Sequence, residues 1–146
     1  MLSNSCRYAI RAMIYIASQP KGPGKTGIKQ IAKDLDLPTP FLAKILQQLV
    51  RQKVLSSLKG PHGGFSILRE PKTITLYDII KIIDGEDVFI DCIIHNGTCS
   101  CVDSEQKSCP VHEDYSNVRK ELINLFQKKN IHDLVEEVKQ SGEIFI

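Results

Sequence analysis

Between Ile28 and Val50 the chain carries two short helical stripes with almost nothing between them. Ile28, Ile31, Ala32 and Leu35 fall at i, i+3, i+4 and i+7, one face of a helix. That stripe ends at Asp36-Leu37-Pro38, because the residue before a proline is pushed out of the helical region. A second stripe begins at once. Thr39 is the expected N-cap, Pro40 suits the first helical position, and Phe41, Leu42, Ile45, Leu46, Leu49 and Val50 mark the expected buried side. Two short helices joined by about four residues form a helix-turn-helix.

The next stretch of chain narrows the fold further. Val54–Leu58 and Phe65–Leu68 are rich in apolar and β-branched residues and flank Lys59-Gly60-Pro61-His62-Gly63-Gly64, the pattern of a hairpin with a glycine-rich tip. A helix-turn-helix leading into such a hairpin is a winged helix. Upstream, Tyr8, Ala9, Ala12, Met13 and Ile16 repeat at helical spacing until Pro20, Gly22, Pro23 and Gly24 break the pattern. Downstream, Thr75 and Asp78 form a capping-box start for a helix striped by Leu76, Ile79, Ile80 and Ile83, with Gly85 as its stop.

Residues 86–110 hold no sustained period and read as a loop that needs something to order it. Then Val111, Tyr115, Val118, Leu122 and Leu125 step by 4, 3, 4 and 3, an a/d seam of about two heptads that suggests a dimer contact. Asn130 caps a last helix carrying Ile131, Leu134, Val135 and Val138. The expected fold is mainly α with a small β-hairpin wing: a winged helix-turn-helix plus a C-terminal dimerisation helix. Its expected parts are a DNA-binding domain over 1–85, a cysteine-rich sensor loop over 86–110, and a dimerisation helix with a C-terminal helix over 111–146.

Composition sets the function classes. A chain of 146 residues that is 42% hydrophobic and 25% charged can bury a core, which excludes a disordered tail and a fibre. No apolar run approaches the roughly 18 residues of a membrane helix, and the amino terminus lacks the h-region of a signal peptide, so no membrane association and a cytoplasmic location are expected. The net charge of +2 hides a split. Residues 1–70 hold 11 Lys+Arg against 3 Asp+Glu, net +8, whereas residues 71–146 hold 8 against 14, net −6. One half seeks an anion and the other does not.

In the basic half, the polar side of the third helix presents Lys44, Gln47, Gln48 and Arg51, with Thr39 and Pro40 at its leading end. Lysine donates to phosphates or guanine, glutamine pairs with adenine, and a helix N-terminus attracts phosphate, so this set suits a major groove. Lys59, His62 and Gly63 lie at the wing tip, where a hairpin meets a minor groove or its phosphates. Arg7, Arg11, Lys29 and Lys33 add charge within reach of a phosphate backbone. No G-x-G-x-x-G, P-loop, nucleophile elbow or H-E-x-x-H occurs, so no enzyme is expected.

Cys92, Cys99, Cys101 and Cys109 crowd into 18 residues, with two residues separating the last from His112, while Cys6 stands apart. In a cytosolic chain this crowding points to metal or redox chemistry rather than disulfides. Spacing leaves two readings. A tetrahedral zinc takes Cys99, Cys101, Cys109 and His112; an iron-sulfur cluster takes Cys92, one of Cys99 and Cys101, Cys109 and His112. A rival of another class is a small redox or metal-handling protein whose basic face binds an acidic partner, but it leaves the wing tip unexplained.

Four stretches resemble the IscR/NsrR/CymR family of bacterial winged-helix regulators over essentially the whole chain. They are Cys6-Arg7-Tyr8-Ala9-Ile10-Arg11-Ala12-Met13; Ile31-Ala32 and Phe41-Leu42 with Ile45-Leu46 and Leu49; Ser56 to Phe65 through the glycine tip; and Cys92 to His112. The resemblance implies a homodimeric transcription factor, a repressor, that reads a palindromic operator in double-stranded DNA. In cluster-bearing members, three cysteines ahead of the dimer helix bind an iron-sulfur cluster of the 2Fe-2S type, and a residue from elsewhere completes the set. By position Cys92 matches the first cysteine, Cys109 the third and His112 the histidine, while Cys99 or Cys101 matches the second. Nitric-oxide-sensing members place a carboxylate near the first helix, where this chain has Arg7.

Overall fold

Helix α1 (Asn4–Ser18) runs through the middle of the fold, packed against helices on several sides. Its start is set by Ser3, whose hydroxyl accepts from the Cys6 N–H at 3.0 Å. Ala9 and Ala12 are fully buried, and their small side chains let neighbouring helices approach closely around Met13. The computed structural model describes residues 2–20, 25–94 and 110–141.

Beyond α1 come α2 (Ile28–Asp34), α3 (Thr39–Arg51), β1 (Leu55–Leu58), β2 (Gly64–Ile67) and a 3-10 turn at Pro71–Thr73. They are followed by α4 (Leu76–Ile83), α5 (Asp87–Ile90), α6 (His112–Lys128) and α7 (Ile131–Ser141). The main core joins Met13, Ile31, Leu46, Leu49, Ile79 and Ile131, so α1, α2, α3, α4 and α7 share one apolar interior. Each such side chain contributes about 1.5–3 kcal/mol on burial. A smaller cluster of Cys6, Ile80 and Phe89 takes in Ile123 and Phe126 of α6. There Phe89 stacks on Tyr77 at 4.6 Å and meets the Phe126 ring edge-on at 6.3 Å.

The expected winged helix-turn-helix is present, mainly α with one two-stranded antiparallel hairpin. The α4 capping box forms as anticipated, with reciprocal bonds between Thr75 and Asp78 at 3.0 and 3.1 Å, and Gly85 ends the helix at φ +86°. Asn130 accepts from the Asp133 N–H at 2.9 Å at the head of α7.

Several expectations are corrected. Pro38, not Thr39, caps α3: its carbonyl accepts from Phe41 and Leu42, and Thr39 and Pro40 already lie inside the helix. Pro38 holds the extended geometry a cap needs, which leaves the Thr39 hydroxyl without a capping bond. Phe41 is not on the buried side but 54% exposed, because Leu42, Ile45, Leu46 and Leu49 complete the contact with α1, α4 and β1 without it. Residues 86–110 are not all loop, since Asp87–Ile90 form α5 and Phe89 anchors that turn in the smaller core.

Candidate functional site

The antiparallel register sets the wing, pairing Leu55 with Ile67 and Leu58 with Gly64, and Ser56 bonds Ser66 across the strands at 2.8 Å. A third extended segment, unmarked by any apolar alternation, adds to it: Thr26 and Phe65 exchange backbone bonds of 3.0 and 2.9 Å. This explains one glycine of the tip. Gly64 sits at φ +153°, and a Cβ there would lie 2.4 Å from the Thr26 carbonyl oxygen. Gly63 is equally constrained, since its Cβ would lie 2.1 Å from the Leu58 carbonyl oxygen. The tip closes through the Gly63 N–H donating to the Gly60 carbonyl at 2.9 Å, leaving Lys59 and His62 exposed.

On α3 the division between core and surface is clean. Leu42, Ile45, Leu46 and Leu49 are buried, while Thr39, Pro40, Lys44, Gln47, Gln48 and Arg51 are exposed. Lys44, Gln47, Gln48 and Arg51 border one shallow groove together with Phe41. The structure therefore gathers the predicted polar set on one solvent-facing surface. Phe41 belongs to that surface, and its only sequence signal is a place at the edge of the apolar stripe.

Of the other cations, Arg7, Lys29 and Lys33 are exposed. Arg11 has a different task. It turns inward and its Nη2 donates to the Leu35 carbonyl at 2.7 Å, capping the C-terminal end of α2. A guanidinium suits that place because the last carbonyls of a helix are unsatisfied and partly negative.

The thiol region has a described beginning and end. Cys92, just after α5, and His112, the first residue of α6, line one small pocket with Ile93, Val111, Tyr115, Ser116 and Arg119. The Cys92 sulfur accepts from the Ile94 N–H at 3.4 Å. Cys99, Cys101 and Cys109 lie outside the described residues. Cys6 is elsewhere, fully buried, and burial with the nearby Asp84 carboxylate pushes its thiol up to about 12. It is a core side chain.

Arg119, which no motif marked, organises this pocket. Its guanidinium donates to the carbonyls of Ile90 and Asp91 at the end of α5 and lies 4.7 Å over the Tyr115 ring. The expected seam is accordingly divided. Val111 and Tyr115 turn toward the pocket, whereas Val118, Leu122 and Leu125 remain 59%, 40% and 49% exposed along one stripe. The reason is that Ile123 and Phe126 fix the inner face of α6 on the smaller core.

A helix-turn-helix whose second helix presents lysine and glutamines, beside a glycine-tipped hairpin carrying lysine and histidine, is a winged-helix DNA-binding protein. Residues 2–137 match the Rrf2 family model, described as iron-dependent transcriptional regulator. The chain belongs to the Rrf2 family: it is a DNA-binding transcriptional regulator, and its relatives are regulators rather than enzymes. It is 33% identical over 135 residues to a protein of Aquifex aeolicus (strain VF5) assigned to the HTH-type transcriptional regulators, covering 92% of this chain and 91% of that one. Among solved structures it is similar to CymR, the global cysteine regulator of B. subtilis, with TM-score 0.74 and 25% identity over 94% of this chain and 97% of that one. IscR of T. potens shares the fold at TM-score 0.77 and 20% identity, over 98% and 91% of the two chains. Among the described residues, no helix is long and apolar enough to cross a membrane.

Proposed function

We propose that this chain is a homodimeric, cytoplasmic repressor whose hold on a palindromic operator is set by an iron-sulfur cluster. The observation that carries the reading is that Cys92 and His112, far apart in sequence, share one pocket at the foot of α6, the helix with the exposed apolar stripe. A thiol and an imidazole together suit an iron-sulfur cluster, and zinc is the alternative occupant. The full ligand set would be Cys92, Cys99 or Cys101, Cys109 and His112, joining residues 86–110 to the dimerisation helix. When bound, a cluster supplies a cross-link that depends on iron supply and oxidation.

The protein's own residues do the rest. Thr39, Pro40, Lys44, Gln47 and Gln48 enter a major groove, while Lys59 and His62 meet a minor groove or its phosphates, with Gly63 keeping the tip narrow. Val118, Leu122 and Leu125 pair with the same stripe of a second chain. The pairing angle of the α6 helices then sets the separation of the two α3 helices, which must match half-sites about one or two turns apart, ~34 Å per turn. A cluster tying Cys92 after α5 to His112 at the head of α6 changes that angle and so the affinity.

The test is anaerobic purification followed by iron, sulfide and zinc analysis, with duplex binding measured at two salt concentrations. Iron and sulfide in equal amounts, with a steep salt slope, is the expected result. Stoichiometric zinc without sulfide rejects the cluster and leaves the DNA reading standing.

A further inference from the structure

We infer that Arg119 is a positioning residue that brings Cys92 to His112. α5 is a single short helical turn ending at Ile90, and the chain reaches Cys92 only two residues later. Its terminal carbonyls have no continuing helix to satisfy them. Arg119 supplies the partner from α6, donating to the carbonyls of both Ile90 and Asp91, so the backbone leading into Cys92 is tied to the helix that begins with His112. Stacking on Tyr115 holds the guanidinium plane in place, and a planar fork can grip two neighbouring carbonyls where a lysine grips one.

A second feature supports the assignment. Arg119 itself lines the pocket that Cys92 and His112 share, so the clamp sits where the two residues meet. The positioning role rests on the proposed sensor only in making Cys92 and His112 the pair that matters.

The test needs neither metal nor DNA, so its failure is distinct from failure of the cluster reading. In the full chain bearing C99S, C101S, C109S and H112C, with the fully buried Cys6 retained, the two thiols are treated with dibromobimane, which fluoresces only when it bridges a close pair. With Arg119 present, cross-linking is expected to be fast. R119L should slow it by about tenfold or more, since small misplacements of reacting groups are that costly. R119K, which keeps the charge but not the fork, should restore part of the rate. Monobromobimane labelling of Cys92 should not slow, and circular dichroism should show a cooperative melt, which separates misplacement from lost access or unfolding. If R119L does not fold, a rate for folded R119K below that of the arginine chain supports the clamp. Unchanged cross-linking in whichever variants fold overturns it.

Discussion

Arg11 on α1 donates from Nη2 to the carbonyl of Leu35 at 2.7 Å and so closes the end of α2 at the turn leading to α3. The turn itself is tight: Asp36 adopts φ +52°, and the Leu37 N–H returns to the Ala32 carbonyl at 2.8 Å. One guanidinium thus ties the first helix to the end of the second, beside the direct packing of α1 on α3. Arg11→Met is expected to cost about 1–3 kcal/mol, because it strands a partly buried carbonyl and removes a charged donor. The salt slope of DNA binding should stay unchanged, since this arginine is turned away from phosphate. Urea unfolding together with binding at several salt concentrations checks both halves.

Gly63→Ala forces a Cβ against the Leu58 carbonyl oxygen, a backbone atom that cannot move without opening the hairpin. The expected loss is about 1–3 kcal/mol, the usual cost of overpacking a tight site. DNA affinity should fall although no donor or charge has been removed. Hydrogen exchange should show the change at the Gly63 amide, which now donates to Gly60.

Lys59→Ala should behave differently, because the side chain is exposed at the tip and the fold does not need it. Stability should stay within about 0.5 kcal/mol. Binding should weaken for operator and random duplex alike, with the salt slope reduced by about one per protomer, the mark of a lost phosphate contact. Fluorescence anisotropy with the two duplexes measures this.

Leu122→Glu places a charge in the middle of the exposed stripe formed with Val118 and Leu125. If that stripe is the seam between two chains, light scattering should find a monomer in place of a dimer. Affinity for a palindromic duplex should fall by about a hundredfold as the second half-site contact is lost. The melting curve of the monomer should remain cooperative, since Leu122 is not part of either core cluster.

Cys6 predicts a pH dependence. Its thiol is held at about 12 against an ordinary 9.0, by burial first and Asp84 second. The unfolded chain therefore releases a proton that the folded chain keeps. Stability from this group is complete below pH 9 and drains as pH rises toward 12, with a limiting slope of about 1.4 kcal/mol per pH unit. Tyr15, also held at about 12, adds its own loss only above its ordinary 10.0. Urea midpoints between pH 9 and 10 should fall in the natural chain and fall less in Cys6→Ala.

The sequence by itself determined the elements whose signal is local. Helical stripes, the Thr75–Asp78 capping box, the Gly85 stop and the glycine tip each depend on neighbours within a few residues, so spacing alone made the winged helix legible. The polar side of α3 was legible for the same reason, since a helix's exposed face is the complement of its buried one. Tertiary structure decided whatever depends on residues distant along the chain. It turned Arg11 from phosphate toward Leu35, paired Thr26 with Phe65, left Phe41 in solvent, and set Arg119 across the end of α5 beside Cys92 and His112. A long side chain takes its role from the unsatisfied carbonyl or pocket it reaches, and which one that is emerges only when the helices have packed.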